Sequence, residues 1–296
     1  MMMFPGGLAL PEPLALGLAA LLGLLIGSFL NVVIYRLPRM LERGWSEQCA
    51  ELAREQAARA GKPLPEPVPA EAYDLIRPAS SCPACGHRIR WFENIPVLSW
   101  LMLRGRCSAC GARISLRYPA VELMTALLFV LSLWVFGPTL KALAAMIFCA
   151  LMIAMAFIDA DTTLLPDDLT LSLLWLGLLL NLGGVFAPLD QAVIGAMAGY
   201  LSLWLVYWGF KLLTGKEGMG FGDFKLFAAI GAWFGWTVLP LVILLSSLAG
   251  AVIGLAILAW RRLGRGHALP FGPYLAVAGV LVLFTGNTLQ RWIFPV

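Results

Sequence analysis

Long apolar runs, broken at intervals by Pro, Gly or charged residues, dominate the chain. A run of roughly 17–25 apolar residues lets a helix cross the hydrocarbon core of a bilayer. Such runs lie near residues 12–35, 119–136, 139–158, 168–186, 190–210, 224–236, 237–260 and 270–293. They predict an all-α polytopic membrane protein with about eight transmembrane helices. The sixth run is short for a full crossing at about 1.5 Å per residue, which predicts a tilted helix or a locally thin bilayer. One long polar stretch, 36–118, interrupts the pattern. The expected organisation is therefore a first transmembrane helix (1–35), a polar insert (36–118) and a transmembrane core (119–296).

Composition supports the same class. Sixty per cent hydrophobic content (60%) with only 13% charged residues departs from the roughly 25% charge of soluble domains. It excludes a soluble enzyme, a disordered chain and a secreted disulfide scaffold. With eight spans, segments 36–118, 159–167, 211–223 and 261–269 share one side of the membrane. Lys225 stands just inside the helix that follows the third of them. Of the 21 Lys and Arg residues, only Lys141 and Arg291 fall on the opposite side. The positive-inside rule makes the charged side cytoplasmic and turns both termini outward. Topology thus accounts for the net charge of +4, and no nucleic-acid partner is needed. The first run lacks a basic segment ahead of it, so it reads as a retained anchor, not a cleaved signal.

The insert carries the first candidate chemistry. Cys82 and Cys85 form CPACG, and Cys107 and Cys110 form CSACG. Two such knuckles at this separation match the spacing of a four-thiolate zinc ribbon. Gly86 and Gly111 suit the tight turns that aim backbone amides at the sulfurs. Four thiolates leave no open coordination position, so the metal is expected to be structural. A disulfide reading is weaker in a reducing cytoplasm. His87 reads as a surface residue, and Cys49 and Cys149 as unpaired thiols without assigned chemistry. Residues 40–60 have helical propensity with a charged face, and the Pro-rich stretch 61–70 reads as an extended linker.

The second candidate chemistry is acidic. Ionisable groups in or at the rim of spanning helices are costly and are functional candidates by default. Asp159, Asp161, Asp167 and Asp168 cluster at the end of the third span, and Asp223 opens the sixth. Asp159 continues the helical line of Phe157 and Ile158 and should face the bundle interior. Asp161 lies about 200° further round the helix and cannot share that face. Asp167 and Asp168 follow Pro166 and read as N-caps, and N-capping is also the ordinary use of a residue placed like Asp223. Gly220 and Gly222 leave the backbone before Asp223 open to close approach. Glu122 could be interfacial. No HExxH or GxSxG motif is present. Two carboxylates in a poorly solvated site can share a proton, one acting as general base on a water and the other as general acid.

These segments resemble a known family. GKEGMGFGDFKLFAAIGAWFGW is similar to the GxGD segment of type IV prepilin peptidases, which are intramembrane aspartyl proteases. FIDADTTLLPD resembles the family's first catalytic segment. IGSFLNVVIYRLP and the twin-CxxC insert with RWFENIPVLSWLMLRGRC resemble its amino-terminal half. The resemblance runs in order from about Gly27 to Tyr274. It implies cleavage of the basic leader of prepilins and pseudopilins at the cytoplasmic face of the bacterial inner membrane. It also implies methylation of the new amino terminus with S-adenosylmethionine, an activity the family links to the cysteine insert. By motif position Asp159 and Asp223 match the catalytic aspartates, with Gly220 and Gly222 supporting them. The implied substrates serve type IV pili or type II secretion. No Gly-rich nucleotide fingerprint is present, so no residues are assigned to the methyl donor.

Two other readings compete. An ion-coupled transporter also uses membrane carboxylates and Gly-broken helices. Its charges usually lie near the midplane, however, and no inverted repeat is apparent here. A metal-stapled scaffold would use its acids only as helix caps. The segment PFGPYLA (270–276) breaks the backbone where the last span begins, which is tolerated where the backbone lines a site.

Overall fold

The computed structural model describes residues 2–3, 9–60, 73–261 and 270–293. Helices α1 (Glu12–Arg59), α2 (Leu98–Met102), α3 (Arg117–Phe136), α4 (Leu140–Thr162) and α5 (Asp167–Asn181) come first. They are followed by α6 (Leu189–Thr214), α7 (Phe221–Phe234), α8 (Leu239–Arg261) and α9 (Gly272–Ile293). A two-stranded antiparallel pair, β1 (Met2–Met3) and β2 (Ala9–Leu10), precedes them. Each predicted apolar run is a helix, and α2, together with the second half of α1, lies in the insert. Helices α1, α3, α4, α6 and the stretch Trp236–Ala256 are long and apolar enough to cross a membrane. The chain is a multi-pass membrane protein.

Three helices differ in extent from their apolar runs. Helix α1, which carries the first run, does not stop at residue 35 but continues unbroken through Pro38 to Arg59. At about 1.5 Å per residue its 48 residues extend about 72 Å, more than twice a bilayer's hydrocarbon thickness. Arg36, buried at the point of exit, donates to the carbonyls of Asp74 (2.9 Å) and Pro78 (2.6 Å), which ties the returning chain to this helix. The fourth span was expected to reach residue 186 but stops at Asn181. The Asn181 side-chain amide donates to the carbonyls of Ala232 and Trp233, and its oxygen accepts from the amides of Phe186 and Ala187. One side chain thus ends α7 and turns the chain after α5. The last span is interrupted at Gly286 (φ 48°, ψ −137°). The expected linker at 61–70 lies outside the described residues.

Two helices are enclosed. Helix α4 belongs to three apolar clusters at once: Ala142 and Met146 pack with Ala15, Ala19 and Phe129, and Ile153 and Ile158 with Leu30, Ile34 and Val121 of α1 and α3. Phe148, Met152 and Met155 pack with the core around α7. Helix α7 is buried from Asp223 to Trp233 except at Lys225. A helix apolar all round belongs inside a bundle. Its 14 residues therefore need not match the bilayer, and this explains the short sixth run better than tilt.

Glycines let the backbones touch. Gly23 and Gly27 of α1 lie against Ala126 and Glu122 of α3, where an added Cβ would come within 2.5 and 2.6 Å of their Cα atoms. Gly195 of α6 and Gly231 of α7 face each other, and a Cβ on either would sit 2.2–2.3 Å from the other's carbonyl oxygen. Small residues four apart are a common device for close helix approach in membranes. Gly231→Ala is expected to force α6 and α7 apart at a cost of roughly 1–3 kcal/mol or more. Thermal unfolding of the purified protein should move down, whereas Gly209→Ala, where the added carbon meets open space, should leave it unchanged.

Candidate active site

Helix α4 ends where its chemistry begins. Thr163 adopts left-handed backbone (φ 54°) and donates its amide to the carbonyl of Asp159 at 2.8 Å, closing the helix. The turn leads through Leu165 and Pro166 into α5. Asp159 is 5% exposed, on the inner face where the helical line placed it. Its Oδ2 accepts the backbone amide of Gly272, at the start of α9, at 2.9 Å.

Asp223 lies in the first turn of α7 and is 7% exposed. Gly220 holds the N-cap position, so Asp223 is not the N-cap of its helix. The Gly220 amide interacts with the Asp223 carboxylate, while Asp223 Oδ1 is buried without a hydrogen-bond partner among the described residues. Unpartnered buried acceptors are rare and costly, so each calls for an explanation.

Leu165 knits these pieces together. A Cβ on Gly222 would come within 2.6 Å of Leu165 Cβ, and one on Gly272 within 3.2 Å of Leu165 Cδ1. The end of α4 and the starts of α7 and α9 therefore converge on one spot, with Asp159 and Asp223 within electrostatic reach of each other. Gly222 and Gly272 provide the closest approaches, and Gly220 stands more openly, its added Cβ 4.0 Å from Asp223 Oδ2.

The remaining acids are committed elsewhere. Asp161 points away from this spot and pairs with Arg117 at 2.7 Å, and Arg117 also donates to the Phe157 carbonyl. Asp167 and Asp168 occupy the first turn of α5 behind Pro166 and are not side-chain caps. Asp167 instead binds Lys225 at 2.6 Å, two residues beyond Asp223. Glu122 is no interfacial residue: it is buried between α1 and α3 and accepts the amide of Val97 at 2.7 Å. Glu122 was read only as interfacial, and Arg36 and Gly272 were not singled out by sequence reasoning. Only Gly272 left a trace there, through the broken backbone of PFGPYLA.

The insert forms a separate centre. The Sγ atoms of Cys82, Cys85, Cys107 and Cys110 lie within 4.8 Å of one another, a four-thiolate cluster able to hold a metal ion. The two knuckles repeat one geometry: the amide of Gly86 returns to the Cys82 carbonyl and that of Gly111 to Cys107, both at 2.9 Å. Gly86 (φ 73°) and Gly111 (φ 71°) take left-handed conformations, which glycine adopts without steric cost. The amides of Ala84 and Cys85 point at the Cys82 sulfur and pull its thiol down to about 7. Those of Cys110 and Ala109 lower the Cys107 thiol. His87 is no ligand; its ring lies 3.3 Å from Glu93. Glu93 also accepts the Ser108 hydroxyl and the Arg90 amide, and these hold its carboxyl down to about 2.

Comparison with known proteins places this arrangement. Residues 21–136 match the bacterial peptidase A24 N-terminal domain, and residues 146–255 match the type IV leader peptidase family. A prepilin leader peptidase/N-methyltransferase from Aeromonas salmonicida is 54% identical over 275 residues, covering 93% of this chain and 92% of the relative. The chain belongs to the type IV leader peptidase family. A family member of the same description from Pseudomonas aeruginosa is 54% identical over 282 residues, 95% of this chain and 94% of its own. One from Burkholderia pseudomallei is 50% identical over 280 residues, 94% of this chain and 88% of its own. No solved structure matches this leader peptidase homologue. Its two family matches divide between α3 and α4, so the cysteine insert falls in the first and both buried aspartates in the second.

Proposed function

We propose that this chain cleaves the basic leader of type IV prepilins and pseudopilins at the cytoplasmic face of the bacterial inner membrane and methylates the new amino terminus. The observation that carries the reading is the convergence of two buried aspartates, Asp159 and Asp223, from different helices on one glycine-lined spot. The functional division follows the sequence: a first transmembrane helix at 1–35, an insert at 36–118 and a transmembrane protease core at 119–296.

Asp159 and Asp223 share one proton in the resting site. The ionised carboxylate takes a proton from a water, whose oxygen attacks the scissile carbonyl carbon. The protonated carboxyl gives its proton to the leaving nitrogen as the C–N bond breaks. The leader departs with a new carboxyl group, which releases its proton to water, and the mature chain departs with a free amine, while the pair again holds one proton between them. Asp223 Oδ1, without a protein partner, is the acceptor left for the water. The Gly272 amide fixes the Asp159 carboxylate while this happens. S-adenosylmethionine supplies the methyl group for the new amine.

The metal of the insert is proposed to be structural zinc. A tetrahedron with Zn–S bonds of about 2.3 Å has S–S edges of about 3.8 Å. Cys82 and Cys110 stand 3.9 Å apart, and all four sulfurs fit the same cage. Elemental analysis of the purified protein is expected to find about one zinc per chain. Cys82→Ser or Cys107→Ser should lose it, and the stretch 73–116 should then become sensitive to protease. Full metal content in both variants would reject this centre.

The test of function is a reaction of purified protein in lipid nanodiscs with a prepilin bearing its leader. Leader release without S-adenosylmethionine, and a product heavier by one methyl group only with it, are the expected results. Absence of cleavage by the unaltered protein would return weight to an ion-coupled transporter.

A further inference from the structure

The segment between the two cysteine knuckles has an unusual surface. After a 3-10 turn at Trp91–Asn94 comes the short helix α2, on which Leu98, Leu101 and Met102 stand three and four residues apart and share one exposed face. Trp91 is 82% and Met102 83% exposed, and Leu116 is exposed where the chain enters α3. A small ribbon in water does not ordinarily leave so many large apolar side chains uncovered.

The position of this segment relative to the membrane is fixed by two hydrogen bonds. The Val97 amide, immediately before α2, donates to Glu122 Oε2 at 2.7 Å. Glu122 lies five residues inside α3, about 7.5 Å beyond Arg117 at about 1.5 Å per residue, and its Cα abuts Gly27 within the apolar run of α1. The Trp100 indole donates to the Ile114 carbonyl at 3.2 Å, binding α2 to the second knuckle. The start of α2 is thereby pinned to the first turns of α3, where that helix leaves the insert.

Charge completes the pattern. Arg88, Arg90, Arg104, Arg106 and Arg113 are all exposed on the same stretch. Its one acid, Glu93, has both oxygens committed to Ser108, His87 and the Arg90 amide. Exposed apolar side chains on a stretch whose arginines make no ion pair among the described residues suit an anionic bilayer surface.

We infer that residues 91–102 form an interfacial foot that seats the cysteine ribbon in the headgroup layer of an anionic bilayer, with Trp91, Leu98, Leu101 and Met102 in the acyl boundary and the arginines on lipid phosphates. The ribbon is then held at the membrane surface, not suspended in the cytoplasm. This inference rests on the membrane fold and is independent of the aspartate pair.

The full-length protein carrying a genetically encoded dansyl amino acid at position 102, in nanodiscs of phosphatidylcholine with or without phosphatidylglycerol, tests it. The same probe at Leu212, an exposed position in the last turns of α6, gives an independent comparison at a span end. Lipids brominated near the head of the acyl chain are expected to remove most of the emission at position 102, and aqueous iodide little of it. Adding phosphatidylglycerol should increase quenching by bromine. Arg88→Gln/Arg90→Gln/Arg113→Gln should abolish that increase. Strong iodide quenching with no effect of brominated lipid would overturn the proposal. Protection from both quenchers would also overturn it, showing a protein partner or a second copy over this face. Equal quenching with and without the anionic lipid would reject the role of the arginines.

Discussion

Asp159→Asn and Asp223→Asn are each expected to slow leader cleavage by about 10³-fold or more, since general acid–base groups contribute roughly 10²–10⁴-fold. The protein should remain folded. Asn preserves the shape of Asp, and its side-chain oxygen can still accept the Gly272 amide that Asp159 holds at 2.9 Å. What is lost is the ability to exchange a proton with water or with the leaving nitrogen. Asp161→Asn is the control: that carboxylate lies two residues away, but on the outer side, paired with Arg117. It should cleave within a few-fold of the unaltered enzyme. Retained cleavage in either dyad variant would refute the pairing and make Asp161 the next candidate.

The second large effect is expected from a residue without a side chain. Gly272 is not held at positive φ, so alanine meets no left-handed strain there. The added Cβ would sit 2.7 Å from Asp159 Oδ2 and 3.1 Å from its Cγ. Contacts that short cannot persist, and the least costly response is rotation of the carboxylate away from the amide. Displacement of a catalytic group by about 1 Å costs on the order of 10²-fold in rate. Gly272→Ala should therefore lose about that much kcat, with little change in KM and only a small fall in thermal stability. Gly220→Ala, whose added carbon would lie 4.0 Å from Asp223 Oδ2, should retain activity. Equal losses in both would mean that the region tolerates no added volume and would remove the argument for Gly272 as a positioning residue.

The sequence announces those parts of the molecule whose chemistry is local. Apolar runs locate every spanning helix because a bilayer imposes length and composition directly. The twin CxxC knuckles locate the four-thiolate cluster because the spacing within each knuckle is short-range. Asp159 is legible as an inward-facing acid from helical periodicity alone, and Asp161 as an outward one. Features that depend on distant partners are hidden. Nothing near Pro38 shows that α1 continues past it, since the helix is held there by Arg36 reaching carbonyls 38 and 42 residues away. Asn181 ends α5 by engaging α7 across 51 and 52 residues. Glu122 looks interfacial until Val97 folds back onto it. The glycine pairs at 23/27 and 195/199 were readable as small residues four apart, a signal that hydropathy alone passes over. Gly272 could not be found by any rule about side chains, because its contribution is an amide.

The enclosure of α7 bears on how the protein meets its lipid. Helices α6 and α8 expose long apolar faces, with only 22% and 28% of their spanning windows buried, so they take up the mismatch when the bilayer thickens or thins. Helix α7 has almost no lipid boundary. Its neighbours are the backbones and side chains of α5, α6, α8 and α9, with Phe148 of α4 against Trp233. Asp223 rides on this inner helix, and its partner on α4 sits on the most buried of the spanning windows, at 67%. The spacing of the two carboxylates is therefore set by protein against protein, and the proposed hydrolytic centre is mechanically insulated from the thickness of the membrane around it.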